Sequence, residues 1–139
     1  IAEKKAELAP IVAEYPKLSF VSQNQEGVLS TFTTLSWAGD LMADLGFELA
    51  FFPGDTTATE VSVEQVPELV TDTIIVGASG TATPEMAQEL WSGNAVLMVH
   101  PASVANRVFF ADYQLWSRLR GPIAARLVTE ELIAFLTAQ

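Results

Sequence analysis

The amino-acid sequence predicts an α/β fold: a three-layer lobe with a central, mostly parallel sheet flanked by helices. The chain has 139 residues, about one domain, and 50% of them are hydrophobic, which is enough to form a core. The segment TIIVG at 73–77 is an almost continuous apolar run, which is typical of a strand covered on both faces. Strands then alternate with helices through the second half, the pattern of a parallel sheet.

The first elements are a helix and two strand-like segments. Residues 2–14 are rich in helix formers and predict a helix that Pro10 breaks or kinks. LSFVSQ at 18–23 alternates apolar and polar residues and predicts a strand. GVLSTFT at 27–33 either forms a hairpin with that strand across NQEG or lines a pocket as a loop.

A capped helix and a short strand come next. Ser36 is a good N-cap for a helix to Leu45, and Gly46 follows where helices end in the left-handed conformation. FELAFF at 47–52 predicts a short strand that stops at Pro53.

A polar segment then leads to a second capped helix. DTTATEV at 55–61 is polar and predicts a loop. Ser62 followed by Gln65 forms a capping box for a short helix, which Pro67 shortens.

The second half contains the predicted sheet and its covering helices. After the strand at 73–77, Thr83 caps a helix with Pro84 at its first position. AVLMV at 95–99 is a further apolar segment, and RVFFAD at 107–112 predicts a strand. Pro122 begins the last helix, whose predicted apolar stripe consists of Ile123, Leu127, Phe135 and Leu136.

Composition and motifs exclude several classes of function. Seventeen acidic residues against seven basic ones give a net charge of −10, which argues against nucleic acid as a partner. The chain has no cysteine, and its one histidine, His100, cannot form a multi-histidine metal centre. The glycines of GASGT at 77–81 do not match a nucleophile elbow, a dinucleotide fingerprint or a P-loop. We therefore predict no catalytic residues, no resident metal and no cofactor.

The candidate binding residues follow the last predicted strand. In parallel sheets, ligands bind beyond the carboxyl ends of strands, which here selects the loops around 53–59, 77–82 and 112–120. In the third loop, the rings of Tyr113 and Trp116 could stack on a flat ligand. Arg118 and Arg120 could donate bidentate hydrogen bonds to an anion. The alternative is structural: the tryptophan packs on the last helix and the arginines pair with surface acids such as Glu130.

Trp37 is a second candidate because it stands at a predicted helix start, where exposed backbone N–H groups favour anions. The alternative is that it is a core tryptophan.

The order of these features resembles the carboxyl-terminal lobe of the class III periplasmic binding proteins, which deliver ferric siderophores, haem or cobalamin to ABC importers. Of the branches of that family, the iron-siderophore one is the most similar. The stretches that carry the resemblance are SWAGDLMADLGF (36–47), VSVEQVPELVTDTIIVG (61–77), ASVANRVFFAD (102–112) and LWSRLRGPIAARLVTEEL (115–132).

The resemblance implies a two-lobed parent protein whose amino-terminal lobe is absent from this chain. Residues 1–14 would then be the end of the helix that links the lobes, and 15–139 the carboxyl-terminal lobe. The cleft between the lobes would be lined by Trp37, Tyr113, Trp116, Arg118 and Arg120. Glu64, in the pattern Ser-x-Glu-Gln, matches the family's exposed glutamate that docks on arginines of the membrane permease. The alternative is an ordinary exposed glutamate that the helix dipole stabilises near a helix start.

The implied function is therefore transport without catalysis. We expect a ferric siderophore as ligand, with the ABC permease and the amino-terminal lobe as partners, in the periplasm or another extracytoplasmic location, with or without a lipid anchor. The pair of arginines favours an anionic iron chelate over neutral cobalamin. Haem or cobalamin as the ligand, an α/β domain that associates with another chain, and an enzyme related to the metal chelatases remain alternatives.

Overall fold

The computed structural model describes residues 2–24, 26–33, 36–51, 58–79, 81–112 and 122–137. The elements are, in chain order, α1 (Ala2–Glu14), β1 (Lys17–Gln23), β2 (Leu29–Phe32), α2 (Trp37–Asp44), β3 (Glu48–Leu49), β4 (Ala58–Val61), a 3₁₀ helix (Val63–Glu68), β5 (Thr73–Ala78), α3 (Pro84–Ser92), α4 (Ala95–Met98), α5 (Pro101–Val104), β6 (Val108–Asp112) and α6 (Pro122–Thr137). Among these elements, no helix is both long enough and apolar enough to cross a membrane.

The described strands form a six-stranded, mixed sheet in the order β4-β2-β1-β5-β6, with β3 beside the first residues of β1. The pairs β1–β3, β1–β5 and β5–β6 are parallel, whereas β2 pairs antiparallel with both β1 and β4. The predicted fold class is confirmed, and the segment at 27–33 contains the second strand of a hairpin.

Helices cover the sheet on both faces. On one face, called face A, side chains of α1, α2 and α6 pack on a cluster that includes Leu18, Phe20 and Ile75. On the other, called face B, α3, α4, α5 and the 3₁₀ helix pack on a cluster that includes Val21 and Val76. Every residue of β5 is buried because the strand lies between two parallel neighbours and under helices on both sides.

Most predicted caps have the expected geometry. The Ser36 hydroxyl accepts a hydrogen bond from the Gly39 N–H at 2.9 Å, and Thr83 Oγ1 accepts one from the Met86 N–H at 3.2 Å. Gly46 has φ = 107°, a conformation that glycine adopts without strain. These caps were predictable because each depends on a few residues close together in the sequence.

Three predicted elements need correction. The helix at 2–14 continues through Pro10. The polar segment at 55–61 was predicted to be a loop, but its last four residues form β4, which pairs with β2. Of the described residues 47–51 in the strand predicted at 47–52, two form a strand, although the Ala50 N–H still bonds to the Leu18 carbonyl at 2.9 Å.

The apolar stripe of α6 also differs from the prediction. Ile123 is 77% exposed and Leu127 is 45% exposed, whereas Leu136 is buried and Phe135 is partly buried. The residues that α6 buries against the sheet recur at helical spacing with small side chains at the start of the helix: Ala125, Val128, Leu132 and Leu136. The larger apolar residues of the first turns therefore do not mark the packed face.

Candidate functional site

The carboxyl ends of three parallel strands meet in register at one end of the sheet. Gln23 of β1 pairs with Ala78 of β5, which pairs with Asp112 of β6. We call this the carboxyl end of the sheet, and the opposite end, where these strands begin, the amino end. The chain leaves β6 at the carboxyl end, which is the topology that the sequence predicted. The predicted ligand residues Tyr113, Trp116, Arg118 and Arg120 lie outside the described residues.

A row of small side chains crosses face A close to this end. Ser22 pairs with both Ser30 and Gly77, and Gly77 pairs with Ala111. The row nearer the amino end is bulky, since it contains Phe20, Phe32, Ile75 and Phe109. The side chains on face A are therefore shorter at the carboxyl end of the sheet than nearer its amino end. Gly77 and Ala111 are buried while the two serines are half-buried, so the row is more open on the side of β1 and β2.

Trp37 is the first residue of α2 and packs, partly buried, against the face A cluster. Its position follows from the cap just before it. The Ser36 hydroxyl donates to the Thr33 carbonyl at 2.7 Å and accepts from Gly39, so the start of α2 is tied to the chain leaving β2. The structure gives Trp37 a packing contact, and its predicted contact with a ligand stays a prediction.

Of the three predicted loops, those at 77–82 and 112–120 begin at the carboxyl end of the sheet. Ser79 follows β5 directly, and its N–H donates to the Gln23 carbonyl at 2.9 Å, so the loop at 77–82 begins at the carboxyl end. The loop at 53–59 was grouped with it; residues 58 and 59 belong to β4, and the position of the rest of this loop stays a prediction. β3 ends where Leu49 pairs with Leu18, at the start of β1, and β4 begins at Ala58. Residues 53–57 lie outside the described residues.

Glu64 stands at the carboxyl end, because β4 runs in the same direction as β1 and ends there. Val61, the last residue of β4, pairs with Leu29, which pairs with Gln23. The Gln65 side chain accepts a hydrogen bond from the Ser62 N–H at 2.9 Å, which fixes the start of the 3₁₀ helix. Glu64 is exposed in its first turn.

An open groove of about 390 Å³ lies beside Glu64, between the β1–β2 turn and the end of β4. Val28, Val63 and Glu60 are among its lining residues. Within the described part of the chain, neither Glu60 nor Glu64 forms an ion pair. The side of the lobe around Glu64 is therefore anionic and partly apolar.

His100 has a structural role. It is 1% exposed, its Nδ1 accepts a hydrogen bond from the Ala102 N–H at 3.0 Å, and its Nε2 lies 2.8 Å from the Leu69 carbonyl oxygen. Because Nδ1 is an acceptor, the proton of the neutral ring lies on Nε2 and is donated to that carbonyl. Among the described residues, no three His, Cys, Asp or Glu side chains are grouped so that they could hold a metal ion.

Sequence reasoning missed two buried polar residues. Gln23 is 2% exposed, and its Oε1 has no hydrogen-bond partner among the described residues, although it lies at the carboxyl end of β1. Arg107 is 4% exposed and lies at the amino end of the sheet, where it contacts Tyr15 and Thr73. Neither residue has a local sequence signal, because burial of a polar strand residue depends on which elements pack over it.

Comparison with known proteins shows the fold. No protein-family model and no curated protein sequence matches the chain, but solved structures do. The siderophore periplasmic binding protein from the fuscachelin gene cluster of Thermobifida fusca is 19% identical, with a TM-score of 0.76 over 99% of this chain and 50% of that one. The petrobactin-binding protein YclQ of Bacillus subtilis is 18% identical, with a TM-score of 0.77 over 98% and 49%. Staphylococcus aureus SirA complexed with staphyloferrin B is 20% identical, with a TM-score of 0.70 over 96% and 49%.

The chain therefore has the fold of about half of a siderophore-binding protein of this kind. It spans about half the length of each of these solved proteins, which is consistent with the single lobe that the sequence resembles. At this level of identity the likeness establishes architecture, and ligand and partners have to be argued from the chain's own residues.

Proposed function

We propose that this chain is one lobe of a two-lobed extracytoplasmic binding protein that holds a ferric siderophore between its lobes and delivers it to an ABC permease. The observation that carries the proposal is the fold: nearly the whole chain superposes on half of several siderophore-binding proteins. A single lobe of this kind leaves one side of its ligand uncovered, so binding requires the second lobe.

The ligand would lie over the carboxyl end of the sheet. Two features support this placement: the chain enters the segment 113–121 from Asp112 at that end, and the row of small residues lowers the face A surface there. In this proposal, Arg118 and Arg120 neutralise an anionic iron chelate, while Tyr113, Trp116 and Trp37 offer flat contact surfaces. Iron is cargo here, held by the siderophore's own donor atoms.

The permease would dock on the side that carries Glu64. An exposed carboxylate with no ion-pair partner in the described part of the chain can accept a bidentate hydrogen bond from an arginine without breaking an existing contact. Rim charges of this kind change the rate of association and the specificity of docking more than the affinity for a small ligand.

The decisive test is ligand affinity in the full-length protein with both lobes. We expect Arg118→Ala combined with Arg120→Ala to weaken binding of an anionic ferric siderophore at least tenfold in a tryptophan-quenching titration. Arg126→Ala is the matched control, because this arginine is exposed and its described ion pair is to Glu130, one turn along α6. Unchanged affinity in the double variant would reject the assignment of the arginines.

The probes decide among the alternative ligands. Ferric petrobactin, ferric staphyloferrin B and ferrichrome are titrated beside haemin and cobalamin. Tight binding of haemin or cobalamin without binding of any ferric siderophore would contradict the proposed ligand class. A protein that binds none of the five but forms a tight symmetric dimer would instead support a role in association with another chain.

A further inference from the structure

Arg107 makes contacts that join three parts of the fold at the amino end of the sheet. It stands immediately before β6. Its Nε and Nη2 atoms donate to Thr73 Oγ1 at 3.1 and 2.9 Å, which ties it to the first residue of β5. Its guanidinium carbon lies 3.4 Å from the centre of the Tyr15 ring, in the two-residue connection between α1 and β1.

Burial of a cation at this site is energetically unfavourable, so the groups around Arg107 have to compensate for the lost hydration. Burial lowers the pKa of the Arg107 guanidinium from its usual value, while the charges of Tyr15, Asp72 and Glu14 act in the opposite direction. A buried charge is stable only when it is paired and hydrogen-bonded, and here a ring face, a hydroxyl and nearby carboxylates meet that need. A hydrophobic side chain could fill the same space without this cost. The arginine differs from it in making directional contacts, namely the hydrogen bonds to Thr73 and the contact with the Tyr15 ring.

Asp72, whose charge acts on the Arg107 cation, lies immediately before β5 and contacts the first residue of β1. Asp72 Oδ2 accepts a hydrogen bond from the Lys17 N–H at 3.0 Å, and the Asp72 N–H donates to the Lys17 carbonyl at 3.0 Å. The first residue of β1 is thus fixed to the chain before β5 on both its backbone groups. Arg107 and Asp72 together hold the α1–β1 connection from two sides.

The described side chains of α1 that contact the sheet lie in the later part of the helix. Leu8 is fully buried and Ile11 and Val12 are partly buried against the face A cluster, and all three lie in the carboxyl-terminal two thirds of the helix. Glu7 is exposed one residue before this set. Among the described side chains of α1, burial against the face A cluster therefore begins at Leu8.

We infer that Arg107, acting through the Tyr15 ring and the Thr73 hydroxyl, is a latch that fixes the end of α1 to the sheet, so that the two behave as one rigid body. Bending between α1 and a preceding lobe then has to occur away from the latched end of the helix. This consequence for the parent protein rests on the proposed function, in which α1 is the end of the helix linking two lobes. The latch itself is a property of this chain and needs no ligand.

Amide hydrogen exchange of the 139-residue chain tests the latch. We expect Tyr15→Leu to speed exchange of the amides at 8–14 at least tenfold while the amides of α3 keep their rates. Tyr15→Phe is the matched control, because it keeps the ring face on which the guanidinium lies. Arg107→Met should reproduce the pattern of Tyr15→Leu. If Arg107→Met does not fold, Tyr15→Leu still tests the latch, because it changes no residue of β5 or β6.

Two results would overturn the latch. One is unchanged exchange at 8–14 in Tyr15→Leu, which would mean that the hydrophobic contacts of α1 are sufficient. The other is an equal acceleration in α1 and α3, which would make the contact a contributor to global stability alone. A failure of siderophore binding in the arginine test above would leave this experiment unaffected, so the two proposals fail separately.

Discussion

Gly39 provides the sharpest test of how α2 is positioned. A Cβ added at this residue would meet the Thr33 carbonyl oxygen, would lie 2.7 Å from Ser36 Oγ and would lie 2.9 Å from Leu49 Cδ2. The first two atoms are hydrogen-bonded to each other at 2.7 Å, and the hydroxyl also caps the helix. Neither can retreat without breaking the contact that starts α2, so Gly39→Ala must displace the helix start that carries Trp37.

The expected change in the free energy of unfolding of Gly39→Ala is the sum of opposing contributions. Alanine in place of glycine inside a helix stabilises by about 1 kcal/mol when nothing interferes. Overpacking costs about 1–3 kcal/mol, and loss of an N-cap costs about 1 kcal/mol more. One of the obstructing atoms at Gly39 belongs to the backbone, which moves aside less easily than a side chain. We therefore take the upper part of that range and expect the free energy of unfolding to fall by about 2–3 kcal/mol. For a domain of this size, each kcal/mol lowers Tm by roughly 3–4 °C, so the expected fall is roughly 6–12 °C.

The assay is urea unfolding followed by circular dichroism, with tryptophan emission recorded in parallel. Gly93→Ala is the matched control, because its new Cβ would lie 3.1 Å from one carbonyl oxygen, that of Glu89, and make no closer contact. We expect the control to stay within about 0.5 kcal/mol of the parent chain. A Gly39→Ala variant as stable as the parent chain, or more stable, would refute the close approach and with it the tie between Trp37 and the end of β2.

Three further predictions concern separate parts of the lobe. In the full-length protein, Glu64→Gln should leave siderophore affinity within twofold but reduce stimulation of the permease ATPase severalfold; equal stimulation would contradict docking at this residue. His100→Ala should lower the unfolding free energy by about 2–4 kcal/mol in urea, because it removes two buried hydrogen bonds and leaves their partners unsatisfied; a loss below 1 kcal/mol would show that water replaces them. Arg126→Ala should cost less than about 0.5 kcal/mol, because its pair with Glu130 is exposed; a loss above 1 kcal/mol would indicate an unrecognised contact.

The parts of the fold that the sequence predicted correctly depend on short-range information. The buried run at 73–77, the cap at Ser36 and the cap at Thr83 each need only a few neighbouring residues, and all three are observed. The strand β4 was missed because its residues, ATEV, look like a polar loop until β2 lies beside them. An edge strand of this kind is defined by its partner more than by its own pattern.

The sequence predicted which strand precedes the candidate site, but it predicted only part of the arrangement of strands around that site. The sequence placed residue 112 at the carboxyl end of a parallel strand, which the pairing of Ala78 with Asp112 confirms. It placed the loop at 53–59 there too, and this stays a prediction, but the pairing of β3 with the beginning of β1 could not be read from the sequence. Register between distant strands is a tertiary property, and no pattern within 47–59 contains it.

The two ends of the sheet differ, and the difference agrees with the proposed function, in which the amino end is attached to α1 and the carboxyl end binds the ligand. At the amino end, hydrogen bonds join Arg107 to Thr73 and Asp72 to Lys17, and Arg107 lies against the Tyr15 ring that follows α1. At the carboxyl end, side chains are small on face A, and the exposed carboxylates of Glu60 and Glu64 form no ion pair in the described part of the chain. The proposed function would use this asymmetry, since it needs one end attached to a linker and the other open to a ligand. Substitutions should therefore separate by position, with amino-end changes affecting stability and carboxyl-end changes affecting binding, because the first set breaks satisfied contacts and the second removes contacts that form only with a partner.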